Sequence, residues 1–160
     1  MALQVDFSRL DAQDVLDLAI QVEDEAKENY EQLASWMETD GKQEVAKFFV
    51  KMAGLEQLHR DQLTAQRQEL FGDTPPRHSD RAVWQVEQPD YDEIGRDLTV
   101  QKAFDLSIDA ERRAGKYYAE ALEYASDPQV IQLFESLRDA EHEHLRLLEQ
   151  QKVRICGTPG

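Results

Sequence analysis

Two glutamate-histidine pairs constrain this chain more than any other feature. Glu56 is followed three residues later by His59, and Glu141 by His144. On a helix, residues three and four apart share a face. Each pair lies on an apolar stripe, with Val45, Phe49, Met52 and Leu63 around the first and Val130, Phe134, Leu137 and Leu148 around the second. Both pairs are therefore expected to point inward. A carboxylate and an imidazole in a core are costly unless something satisfies them, and a divalent metal ion satisfies both together.

The stripes belong to four long helical patterns. The first covers about 11–37, with Val15, Ala19, Val22, Ala26, Tyr30, Leu33 and Met37 at steps of three and four, and Asp40-Gly41 ends it. A second covers about 43–70, stopped by Gly72 and Pro75-Pro76. The third covers about 98–125, with a stripe of Phe104, Ile108, Ala114, Tyr118 and Leu122. Asp127 as N-cap and Pro128 at the first position open the fourth, over about 128–151. Between the second and third, about 71–97 form a connection rich in proline and glycine, with room for a short strand or helical turn around Ala82 to Val86. Short, long and short connections imply an all-α four-helix bundle, two antiparallel hairpins joined by a long crossover in a single domain over 1–160. The crossover exceeds ordinary loop lengths. It either caps one end of the bundle or carries a helix pair to another subunit.

The two hairpins read as copies of each other. Ile20, Glu23, Ala26 and Tyr30 recur at the same spacing as Ile108, Glu111, Ala114 and Tyr118, and Phe49, Glu56 and His59 recur as Phe134, Glu141 and His144. Glu23 and Glu111 fall on inward stripes, so four glutamates and two histidines converge on the bundle centre. Without metal, four close carboxylates repel, and burial protonates some of them. Two ferrous ions bring four positive charges to four carboxylates and two neutral imidazoles, the arrangement described for di-iron bundles. The competing reading is a structural polar network for these six, and ordinary core packing for Tyr30 and Tyr118. His142, about 100° round the helix from Glu141, is expected to face solvent, as are Asp139 and Asp105. His78 in the crossover has no assigned role.

Composition narrows the function. The formal charge of −15 over 160 residues argues against binding nucleic acid or an anionic membrane, both of which call for clustered Lys and Arg. It suits attraction of cations, although most of the 33 acids serve solubility. The single Cys156 rules out an internal disulfide, a Cys-x-x-Cys pair and a four-thiolate iron site, and points to a reducing compartment. Residues 1–10 lack the apolar core of a secretory signal, and no apolar run is long enough to span a bilayer. A cytoplasmic protein is expected.

One Glu on each of two helices, with Glu-x-x-His on each of the other two, resembles the ferritin-like superfamily. The spacing of Glu23-Ala26-Tyr30 and Glu111-Ala114-Tyr118 is most similar to its rubrerythrin branch. That resemblance implies that Glu56 and Glu141 bridge two irons, that His59 and His144 each bind one of them, and that Glu23 and Glu111 are terminal ligands. It also implies that Tyr30 and Tyr118 hydrogen-bond to and orient the terminal carboxylates. Full-length rubrerythrins carry a rubredoxin domain with a four-Cys iron site. Here about ten residues follow the bundle, so electrons are expected from an external donor, a rubredoxin-like protein or another reductant. Rubrerythrins also add a Glu one turn after the third helix's ligand, where this chain has Ala114, and the site thereby resembles a simpler ferroxidase centre. The tail from Gln151 is too short for the fifth helix of cage ferritins. Gln57 stands where bacterioferritins place the haem-binding Met, so no haem is expected.

A carboxylate-rich site with two imidazoles suits iron, with manganese or zinc as substitutes. Each of two ferrous ions can give one electron, enough together to break an O–O bond. The resemblance thus implies a di-iron oxidoreductase that reduces hydrogen peroxide or oxygen in defence against oxidative stress. A ferroxidase or iron-handling protein is the first alternative, and a metal-stabilised structural or partner-binding bundle the second. A homodimer is expected by resemblance and because small bundles pair through an outer stripe.

Overall fold

Each of the four helical patterns becomes one helix in the computed structural model, which describes residues 6–77 and 98–157. A 3-10 turn at Phe7–Arg9 precedes α1 (Ala12–Thr39), α2 (Gln43–Phe71), α3 (Val100–Tyr124) and α4 (Pro128–Cys156). Among the described residues there is no strand. The possible element around Ala82 to Val86, and His78, lie outside the described residues.

Local chemistry sets the boundaries. Asp11 caps α1 in a reciprocal box: its carboxylate accepts from Asp14 N at 3.0 Å, and that of Asp14 accepts from Asp11 N at 3.2 Å. Thr99 caps α3 through Lys102 N, and Asp127 caps α4 through Gln129 N and Val130 N, with Pro128 following. Gly41, at φ 76°, makes the tight turn between α1 and α2 in a conformation that a side chain disfavours. One boundary differs from expectation. Helix α4 continues five residues past Gln151, because nothing breaks it before Gly157, whose φ is 83°. The extra turn is held by Ile155, which packs on the core, and by Arg154, which pairs with Glu44 of α2.

Helix α1 lies antiparallel to α2, and α3 to α4. Across the seam, Tyr30 meets Glu111 while Tyr118 meets Glu23, so α1 also runs antiparallel to α3. His59 near Glu141 and His144 near Glu56 give the same relation for α2 and α4. Two apolar clusters fill the interior. One contains Leu16, Leu18, Leu63, Tyr117 and Phe134, and the other Leu33, Met37, Phe49, Phe104 and Leu148. Fully burying a side chain of this size contributes roughly 1.5–3 kcal/mol. That apolar gain offsets the cost of the polar groups trapped between the clusters.

The first turns of α1 are buried all round, from Gln13 to Ala19, well beyond the expected stripe. The start of the crossover covers them. Gln13 Nε2 donates to Pro75 O at 3.1 Å, and Arg77 pairs with Asp11 at 2.9 Å. Beneath these contacts, buried Arg67 at the end of α2 donates to Asp17 Oδ1 at 2.8 Å, to Gly72 O at 2.7 Å and to Thr74 O. Residues 72–77 therefore lie against their own hairpin.

Candidate metal centre

The stripe positions make six polar side chains converge on the centre of the bundle. Glu23, Glu56, Glu111 and Glu141 are at most 4% exposed, His144 is 4% exposed and His59 8%. Four of them, Glu56, His59, Glu141 and His144, bring one ligand atom each to within 4.8 Å of all the others. The two imidazole rings lie face to face, 4.9 Å apart and 6° from parallel.

Distances from the two Nδ1 atoms divide the carboxylates. His59 Nδ1 is 3.5 Å from Glu23, 3.6 Å from Glu56 and 3.3 Å from Glu141. For His144 Nδ1 the neighbours are Glu56 at 2.9 Å, Glu111 at 3.6 Å and Glu141 at 3.6 Å. Glu56 and Glu141 thus face both imidazoles, whereas Glu23 faces only His59 and Glu111 only His144. Each Glu-x-x-His helix supplies one carboxylate common to both groups and one private imidazole.

Tyr118 Oη donates to Glu23 Oε1 at 2.5 Å, and Tyr30 Oη donates to Glu111 Oε1. The pairing is exchanged between hairpins: α3 orients the α1 carboxylate, and α1 orients that of α3. Antiparallel packing explains this, since a tyrosine two turns after its own helix's glutamate lies level with the glutamate of the facing helix. Burial, and then the adjoining carboxylates, push both phenols well above their ordinary range, so they remain donors.

Electrostatics sets the proton inventory without metal. Burial, followed by repulsion from the neighbouring carboxylates, pushes Glu56 and Glu141 well above the usual range, so both hold protons. Burial also opposes charge on Glu23 and Glu111, but close partners outweigh it. Glu56, His59 and Tyr118 hold Glu23 below the ordinary value, and Glu141, His144 and Tyr30 do the same for Glu111. Burial opposes charge on the imidazoles too, yet three carboxyl groups around each ring push both up to about 12. Two carboxylates and two imidazoliums cancel, so the metal-free centre is neutral.

Neutrality does not satisfy the hydrogen bonds. Glu23 Oε2, Glu56 Oε2, His59 Nδ1 and both carboxyl oxygens of Glu141 are buried without a hydrogen-bond partner. Groups of this kind ordinarily find partners, and exceptions mark a functional site or an absent ion. The orphaned atoms converge on one another, and a set of carboxylate oxygens with two imidazole nitrogens suits iron or manganese. The residues fit a dinuclear metal group.

Other polar residues stand apart. His142 is exposed, Asp139 pairs with Arg138 on the surface, and Asp105 takes Lys152 at 2.5 Å. Sequence reasoning missed the buried Asp17–Arg67 pair and Tyr117, whose hydroxyl donates to Val15 O at 2.9 Å. An aspartate and an arginine on faces that read as polar gave no signal, because what buries them is the folded-back start of the crossover. No helix among the described residues is long and apolar enough to cross a membrane.

An uncharacterized conserved protein from Magnetospirillum magnetotacticum MS-1 superposes with a TM-score of 0.76 at 27% identity, over 94% of this chain and 97% of that one. A bacterioferritin from Rhodobacter capsulatus, with a metal-free dinuclear site and haem iron, gives 0.67 at 25% identity, over 87% and 81%. A candidate ferritin-like diiron-carboxylate protein from Thermotoga maritima shares the fold, with 0.66 at 24% identity over 89% and 95%. No curated protein sequence matches. The family model described as rubrerythrin matches residues 14–152. With its ferritin-like bundle and its buried Glu/His centre, this chain belongs to the rubrerythrin family.

Proposed function

We propose that the protein is a non-haem di-iron oxidoreductase that reduces hydrogen peroxide or oxygen. The observation that carries the reading is the pair of carboxylate groups sharing Glu56 and Glu141, each facing one histidine, with orphaned ligand atoms at the centre. Glu23 and His59 would hold one iron, Glu111 and His144 the other, and Glu56 and Glu141 would lie between them. When bound, two ferrous ions would supply two electrons, enough to cleave the O–O bond of hydrogen peroxide or to take oxygen to the level of peroxide.

The chain's own residues prepare the site. Tyr30 Oη and Tyr118 Oη keep their protons and fix Glu111 and Glu23 in place. The apolar clusters on either side exclude bulk water, which strengthens every charge interaction within. Gln57 is hydrogen-bonded to Asp61 at 2.8 Å, and haem forms no part of this reading. A cytoplasmic setting, an external electron donor and a homodimer complete the proposal. Val50 and Leu58, exposed on the outer face of α2, support a second copy packing there.

A ferroxidase reading competes because α3 carries Ala114, not a further carboxylate, one turn after Glu111. Iron analysis followed by stopped-flow oxidation separates the two. About two irons per chain, oxidised faster by peroxide than by oxygen without continued uptake of ferrous ion, is the expected result. Sustained turnover of added ferrous ion would instead establish the ferroxidase, and absence of bound iron would remove both.

A further inference from the structure

The internal repeat is broken beside the centre. Counting from Glu23 and Glu111, Tyr30 and Tyr118 hold matching places, as do Ala26 and Ala114. Six residues after each glutamate, however, stand Asn29 in α1 and Tyr117 in α3, and one residue before each stand Val22 and Ala110. The two halves of the site are therefore walled differently. On the Glu23 side Val22 and Tyr117 are 6% and 0% exposed and pack with Ala19 and Ala121 in one apolar cluster. On the Glu111 side the smaller Asn29 and Ala110 are only half-buried. A cavity of about 20 Å³ opens between them, reaching Tyr30, Glu111 and Ala114.

We propose that this groove between α1 and α3 is the way in for the O–O substrate, and that the matching path on the Glu23 side is closed. The opening leads to the carboxylate that faces His144, so that half of the centre meets the substrate first. Its volume exceeds the roughly 10–15 Å³ that one water requires, but is small for a hydrated cation. A neutral molecule of two heavy atoms is of the size such an opening admits. Most of the lining is hydrocarbon from alanine and leucine, and the polar Glu111 and Tyr30 lie at the inner end. The inference rests on the oxidoreductase reading for what enters, but its geometric content can be tested without metal.

The probe is dissolved oxygen, read by methyl NMR relaxation on the metal-free protein. Ala114 is 8% exposed, close to Ala53 at 5% and Ala121 at 1%, whereas Ala65 is on the surface. Oxygen is expected to enhance relaxation of the Ala114 methyl to the level of Ala65, while Ala53 and Ala121 stay several-fold lower. In Ala110→Val, which copies the closed half, the Ala114 enhancement should fall to the level of Ala53. In the iron-loaded protein the same variant should slow oxidation by both peroxide and oxygen several-fold at unchanged iron content. An Ala114 methyl that behaves like Ala53 in the native protein overturns the proposal, and so does unchanged oxidation in Ala110→Val. Loss of iron binding by the native chain would sink the oxidoreductase reading alone, leaving the relaxation result to decide the path.

Discussion

Loading the metal-free centre with two divalent ions is expected to expel about four protons, because ligands bind metal in their deprotonated forms. The count follows from the site. Glu56 and Glu141 each hold a carboxyl proton, and His59 and His144 are both imidazolium, while Glu23 and Glu111 are already ionised. Four positive charges on two ions thus replace four protons, and the buried centre stays neutral before and after. By linkage, the product of the two binding constants should rise roughly 10⁴-fold per pH unit near neutrality. Anaerobic titration calorimetry with manganous ion, in buffers of differing ionisation enthalpy, measures the release directly as the slope of observed heat against buffer heat. Release of one proton or fewer would refute the reasoning. It would mean that the carboxyls enter the core ionised beside neutral imidazoles, against the repulsion and burial argued above.

Three other outcomes follow from the same contacts. Glu56→Gln with Glu141→Gln should leave the melting temperature of the metal-free protein within a few degrees of native, since these groups are already neutral there; the rise on adding metal should vanish, as calorimetry will show. Arg67→Met should destabilise the chain by about 3–5 kcal/mol in urea denaturation, because Asp17 is left buried without its partner. For pH, Glu56, Glu141, His59 and His144 all have folded values raised above the unfolded 4.5 and 6.5, so the folded metal-free protein binds more protons. Its stability should fall as pH rises above 4.5, and go on falling above 6.5 toward the folded histidine value of about 12, with the metal-induced gain growing over the same range, as thermal scans with and without manganous ion will show.

Much of this was legible in the amino-acid order. Val45, Phe49 and Met52, or Val130, Phe134 and Leu137, mark an inward face so consistently that Glu56 and Glu141 could be placed inside without coordinates. Asp127 with Pro128 did as much for the start of α4, and the breakers Asp40-Gly41 and Gly72 for the ends of α1 and α2, but not for the end of α4, where only the distant Gly157 stops the helix. Which tyrosine serves which glutamate was not legible, because that depends on how the hairpins face each other and not on spacing within either. Asp17 and Arg67 were invisible for a related reason. A polar residue looks solvent-facing in sequence when the segment that covers it arrives from elsewhere in the chain.

The exchange of tyrosines between hairpins has a mechanical consequence. Tyr30 with Glu111, Tyr118 with Glu23, His59 with Glu141 and His144 with Glu56 all join one hairpin to the other. The centre is consequently a clasp across the seam between two covers of a book, and neither cover carries a finished half of it. Whatever fills the centre also sets how firmly the book stays shut.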